Sequence, residues 1–173
     1  MQNQDHLIAT SRIVVRVGIM LNRLFLLAVC LGLLLSWVLG TRFVGLLIES
    51  RSSADAASQL IGLRFEMLIG AVMAIATDRL LTALGRMIES TRAGDPFNAA
   101  NAQRLRAVGW SLLVLQLLDI PGALLGRLFP SLGSAAPNGD VSVGGWVAVL
   151  MVFILSRVFA AGSAMRDELE GTI

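Results

Sequence analysis

Four apolar runs, each close to the thickness of a lipid bilayer, constrain this chain more than any other feature. A spanning helix needs about 20 mostly apolar residues, and residues 17–40, 60–85, 108–126 and 141–162 approach that length. The first, around "LFLLAVCLGLLLSWVLG", and the last, "VSVGGWVAVLMVFILSRVFAAG", are uninterrupted over most of their course. The second carries Arg64, Glu66, Asp78 and Arg79, and the third carries Asp119 and Pro121. A mean hydropathy of +0.75 lies outside the usual composition of a water-soluble domain. The expected fold is therefore all-α: one membrane domain over residues 1–173, built as a bundle of four transmembrane helices. Trp37, Trp110 and Trp146 each sit near the edge of an apolar run, where an amphipathic ring meets the headgroups. A signal peptide is the alternative for the first run, since arginines precede it and "VLG" at 38–40 offers small-residue cleavage chemistry. Against it, the run is longer than a signal core, and its removal leaves an odd number of helices.

Orientation follows from arginine, because cationic loops resist translocation. All 14 basic residues are arginines, set against 12 acids. Arg12, Arg16 and Arg23 flank the first run, and Arg79, Arg86, Arg92, Arg104 and Arg106 lie around the connection between the second and third. Both regions are expected in the cytoplasm, and residues 41–59 and 127–140 outside. Four antiparallel crossings then leave both termini cytoplasmic, in a bacterial inner membrane. The near-balanced charge argues against direct nucleic-acid binding.

The segment "GDPFNAANAQRLRAVGW" (94–110) interrupts the apolar pattern. Asp95 and Pro96 read as a helix start, the carboxylate capping free N–H groups and the proline having none to waste. Phe97, Leu105, Val108 and Leu112 then share a face, so residues 95–107 form an amphipathic cytoplasmic lead-in to the third span. Arg104 and Arg106 fall at phosphate depth, with apolar stems and wet guanidinium groups. The lead-in is either that alone or a docking surface for a partner.

This lead-in and the terminal "MRDELEGTI" resemble a bacterial family of small four-span membrane proteins of unknown function. The motifs of that family are a Pro-Phe, Asn-Ala, Arg-Leu-Arg lead-in and a Leu-Glu-Gly-Thr tail. Pro96, Phe97, Asn101, Ala102, Arg104, Leu105 and Arg106 match the first motif, and Met165, Arg166, Leu169, Glu170, Gly171 and Thr172 the second. Ala100 and Glu168 depart from it. The resemblance covers spans two to four and both motifs; it implies no enzymatic activity, and it implies a membrane-bound regulatory role with a small helix-turn-helix regulator as partner. Pro96, Phe97, Asn101, Arg104, Arg106, Arg166, Leu169 and Glu170 are accordingly the candidate docking residues.

Ionisable groups inside a membrane are costly unless paired or hydrated. Arg64, Glu66 and Asp119 fall near the outer face, where an Arg64–Asp119 pair is expected; Arg23, Asp78, Arg79 and Arg157 fall near the inner one, where Asp78 has Arg157 or Arg23 as partner. Such pairs fix helix rotation. Alternatively Asp119, loosened by a kink at Pro121 and by Gly122, takes up a proton or cation. Ala28 with Gly32, Gly70 with Ala74, and Gly122 with Gly126 place small residues four apart, as close helix packing requires.

Arg166 can pair with Glu170, while Asp167, Glu168 and Glu170 oppose the dipole at a helix C-terminus, so the tail (163–173) either docks on Arg104 and Arg106 or is solvated. Cys30 is the one cysteine and reads as a small buried hydrophobe; His6 is the one histidine, in a polar segment. With no nucleophile set, ligand cluster or phosphate loop, no catalytic, cofactor or metal site is expected. Two readings remain: a non-enzymatic partner-binding protein acting through its cytoplasmic loop and tail, or a small transporter using Asp119, which at this size needs a homo-oligomer.

Overall fold

The computed structural model describes residues 2–47, 53–92, 98–130, 132 and 142–170, with the side chains of all but 2–9, 53, 54, 92, 167, 169 and 170. The chain forms α1 (Gln2–Leu39), the short α2 (Thr41–Gly45), α3 (Ser53–Arg92), α4 (Ala99–Leu128) and α5 (Val143–Glu170). Four of these contain stretches long and apolar enough to cross a membrane: Thr10–Leu39, Asp55–Thr91, Ala99–Leu128 and Val143–Arg166. Their outward faces carry large apolar side chains; Val38 is 81% exposed and Met151 65%. An apolar surface this extensive is unstable in water and is what acyl chains cover. The protein is a multi-pass membrane protein by this argument. Cys30 belongs to that outward surface, and is not buried as expected.

The four long helices stand in a row. α1 packs on α3, α3 on α4 and α4 on α5, with α2 tucked against α1 and α3; among the described residues no other pair of helices touches. The bundle is thus an open one. In lipid no hydrophobic force favours closing it, because acyl chains cover an outer helix face as well as another helix would. The row is held by close approaches at small residues. A Cβ at Gly32 would meet the Met67 sulfur at 3.3 Å, and one at Gly109 the Phe153 ring at 3.2 Å. Beside the latter, Trp110 and Phe153 make an edge-to-face contact with centroids 5.6 Å apart. Two of the three expected small-residue pairs, Ala28/Gly32 and Gly70/Ala74, have members on the α1–α3 seam: Gly32 faces Met67, and the Ala74 carbonyl accepts from Asn22 Nδ2 at 2.8 Å. The third does not pack this way, for a Cβ at Gly122 would find nothing within 4 Å.

The first run ends where expected, and the helix of the third begins later than expected. α1 stops at Gly40, whose positive φ of 56° is one that glycine adopts without strain, and α2 then turns Phe43 and Val44 inward. α4 starts at Ala99, and its N-cap is Asn98, whose Oδ1 accepts from the Asn101 amide at 2.8 Å. The cap is therefore Asn98 and not Asp95; Asp95, Pro96 and Phe97 lie outside the described residues. Pro121 does not end α4, which continues to Leu128.

The described ion pair of the row is Arg23 Nε to Asp78 Oδ1, 2.8 Å, across α1 and α3. Near the hydrocarbon a lone charge is unstable. Arg23→Asp or Asp78→Arg alone is expected to lower the yield of folded protein in membranes, and the exchanged pair R23D/D78R to restore it. Monodisperse elution from detergent extracts measures this; failure of the exchange to rescue either single variant denies the pair its role.

Candidate functional site

At the end of the row where arginines cluster, α3 and α4 are joined by a buried polar hub. The last turns of α3 bend their hydroxyls back on themselves: Ser90 Oγ donates to the Met87 carbonyl at 2.9 Å and Thr91 Oγ1 to the same oxygen at 3.0 Å. Asn101, in the first turn of α4, is 1% exposed. Its Nδ2 donates to Ser90 Oγ, while its Oδ1 accepts from Arg104 Nη1 at 2.8 Å. Arg104 Nη1 also reaches the Arg86 carbonyl at 3.2 Å. The amide suits this place because it gives and accepts at once, as a hydroxyl and a guanidinium require. Asn101 therefore does not present itself to a partner, as the sequence led us to expect; it is a buried residue that orients Arg104.

Two grooves open on either side of α4. Between α3 and α4 runs a cleft of ≈ 990 Å³ with Arg79, Arg86 and Arg104 among its walls. Between α4 and α5 a second groove has Arg106 facing Arg157 and ends near Ala99 and Ser163. Gln103 and Trp110 form the ridge between them. Asp78, the acid that lines the first cleft, is engaged by Arg23. Both grooves are thus net positive. Arg79, Arg86, Gln103 and Trp110 were not singled out as site residues by the sequence; the legible signal was the seven-residue spacing of Arg79 and Arg86, two turns apart on one face.

The remaining candidates are placed as follows. Arg64 does not pair with Asp119: its Nη2 donates to the Ser36 carbonyl at 2.7 Å, its Nε reaches Ser36 Oγ at 3.2 Å, and its guanidinium lies 4.3 Å over the Trp37 ring. Asp119 accepts instead from Gln116 Nε2 at 3.3 Å, within its own helix. α3 turns Arg64 toward α1, so the two charges are on different seams. Asp78 takes Arg23 and not Arg157, because α5 touches only α4. The tail continues α5 in helical form to Glu170. With Gly109 against Phe153, Glu168 lies about 15 Å farther along the helix axis than Arg104, at the usual rise per residue. The helical path carries Glu168 past Arg104 and Arg106, and the side chains of Asp167 and Glu170, on which docking of the tail also rests, lie outside the described residues. Arg166 is exposed, and the side chains of Leu169 and Glu170 lie outside the described residues. One carboxylate the sequence left without a partner, Glu66, keeps Oε2 buried and without a hydrogen bond in the described structure.

A family model described as a protein of unknown function (DUF2975) matches residues 50–173, from just before α3 through α5. No curated protein and no solved structure matches the chain.

Proposed function

The chain belongs to the DUF2975 family of unknown function, and on that premise we propose that it is a non-enzymatic bacterial inner-membrane protein whose arginine-rich end faces the cytoplasm and binds a protein partner. The observation that carries this reading is length. Taking the Trp37–Arg64 contact as the level of one membrane boundary, α1 and α3 run at least about 40 Å toward the arginine-rich end, against a hydrocarbon core of about 30 Å. The excess is ordered helix, tied by the Asn101 hub, and a simple crossing has no use for it. On α5, Met165 is 61% exposed and lies beyond Ser163, which borders the same groove as the first residue of α4. On that reckoning Met165, at the end of the Val143–Arg166 stretch, falls past the hydrocarbon, and an exposed apolar side chain there, next to Arg166 and two residues from the groove that Arg157 lines, is surface of the kind that partners cover.

A small transcription regulator held at the membrane is the partner class that the family resemblance supports. Transport through Asp119 has less support, since that carboxylate is bonded to Gln116 and no ionisable group of α3 or α5 meets it in the described structure.

The test is a photo-crosslinking amino acid placed at Met165 or, as the lipid-facing control, at Val147. In cells position 165 is expected to trap a water-soluble protein and position 147 none. Asp119→Asn should leave the adduct unchanged. Equal labelling at both positions, or none at 165, removes the partner; loss of the adduct in the Asp119→Asn variant shifts the weight to transport.

A further inference from the structure

We propose that the cleft between α3 and α4 is a binding site for an anionic phospholipid of the arginine-rich leaflet, with the phosphate held by Arg79, Arg86 and Arg104 and an acyl chain lying along the apolar end. The argument starts from the order of residues along the cleft. Its inner wall is apolar, with Val72, Ile75 and Ala76 from α3 and Val114 from α4; its other end is basic. Taking the Trp37–Arg64 level as one hydrocarbon boundary, Val72 lies about 12 Å into the membrane, Arg79 about 22 Å and Arg86 about 33 Å. For a core of about 30 Å, the apolar end is near the bilayer centre and Arg86 at the phosphates of the opposite leaflet. A cleft that changes from hydrocarbon to cation over this distance has the profile of one lipid molecule. A soluble partner does not reach its Val72–Val114 end, and a free phosphate leaves that end empty.

Charge supports the same occupant. Three guanidinium groups line the cleft, and Asp78, the acid among the lining residues, is neutralised by Arg23 at 2.8 Å. Arg79 and Arg86 have no carboxylate partner among the described residues, and both are exposed. Cations in contact with acyl chains are stable where a lipid phosphate or water meets them. Arg104 is different, because the side-chain oxygen of Asn101 and the Arg86 backbone carbonyl hold one of its nitrogens and leave the guanidinium oriented before a ligand arrives. Basic pockets between membrane helices on the cytoplasmic side are suited to anionic headgroups for these reasons. Trp110 stands at the rim and supplies both an amphipathic ring at the headgroup boundary and a reporter. The site involves neither Met165 nor Arg166, so it stands or falls apart from the partner reading.

The experiment uses the full-length W37F/W146F variant, in which Trp110 is the one fluorophore of its kind, reconstituted in phosphatidylcholine vesicles. Phosphatidylglycerol or phosphatidylcholine with brominated acyl chains is titrated in, and quenching of Trp110 is followed. The expected result is an apparent affinity for the brominated anionic lipid at least about fivefold that for the zwitterionic one, as neutralisation of one arginine near the surface implies. R79Q/R86Q should bring the two curves together, and V114F, with all charges kept, should reduce quenching by the anionic lipid. R106Q on the other side of α4 should leave the preference in place. Equal quenching by the two lipids in the parent protein overturns the proposal, as does a preference that survives R79Q/R86Q. Should that double variant not fold, V114F alone decides: undiminished quenching rejects the site.

Discussion

Gly62→Val is expected to destabilise the protein by about 1–3 kcal/mol through overpacking, read as a fall in the unfolding midpoint in detergent. The reason is a close approach between α3 and the segment that follows α4, made in part by the root of a side chain. A Cβ at position 62 would lie 2.8 Å from a Leu132 methyl carbon, 2.9 Å from Phe129 Cγ and 3.1 Å from Phe129 Cβ. The methyl can turn away, but the root of the Phe129 side chain moves only with its backbone. That backbone is fixed on both sides: the Phe129 amide donates to the Leu125 carbonyl at 2.9 Å and the Phe129 carbonyl accepts from the Leu132 amide at 3.0 Å. Leu132 is itself 1% exposed. Phe129→Ala in the Gly62→Val background should recover part of the loss, since it removes the ring but not Cβ. Gly122→Ala is the control, because its Cβ enters open space; helix propensity there favours alanine by up to about 1 kcal/mol. A Gly62→Val protein as stable as the parent means that α3 and the segment following α4 are farther apart than described.

Asn101→Ala should have a comparable cost, about 1–3 kcal/mol, for a different reason: it leaves polar groups buried without partners. The Ser90 hydroxyl loses a donor, and Arg104 Nη1 loses the nearer of its two acceptors. Asn101→Asp is expected to fall between, since a carboxylate still accepts from Arg104 but offers nothing to Ser90. In a double-mutant cycle with Ser90→Ala the two losses should be less than additive, with a coupling of about 0.5–3 kcal/mol. Strict additivity shows that Asn101 and Ser90 act independently and that the hub is not a unit. The variant also separates positioning from contact. If Asn101 works only through Arg104, Asn101→Ala weakens the preference for anionic lipid while R79Q/R86Q abolishes it.

Much of the fold was legible because lipid leaves a one-dimensional record. Length and hydropathy suffice to place a spanning helix, and each of the four expected runs coincides with α1, α3, α4 or α5 over all but one or two residues. The family likewise could be approached from two short motifs. Partners of charges were less legible. The sequence offered Asp78 a choice of Arg23 or Arg157 and paired Arg64 with Asp119; depth along the membrane normal cannot distinguish seams at equal depth. The rotation of α3 decided both, sending Arg64 to Ser36 and Trp37 and leaving Asp119 to Gln116. Asn101 was misread for a related reason. A polar residue in an amphipathic helix is taken to face water unless a partner is known, and its partner Ser90 belongs to another helix.

What the sequence determined by itself is therefore the all-helical fold and the four stretches long and apolar enough to cross a membrane, because transfer from water to hydrocarbon depends on local composition alone. Tertiary structure decided that the helices form an open row, which arginines share a cleft, and where glycine admits a neighbour. These depend on helix rotation, which packing sets to within a few tenths of an ångström at positions such as Gly62 and Gly109 and on which hydropathy is silent.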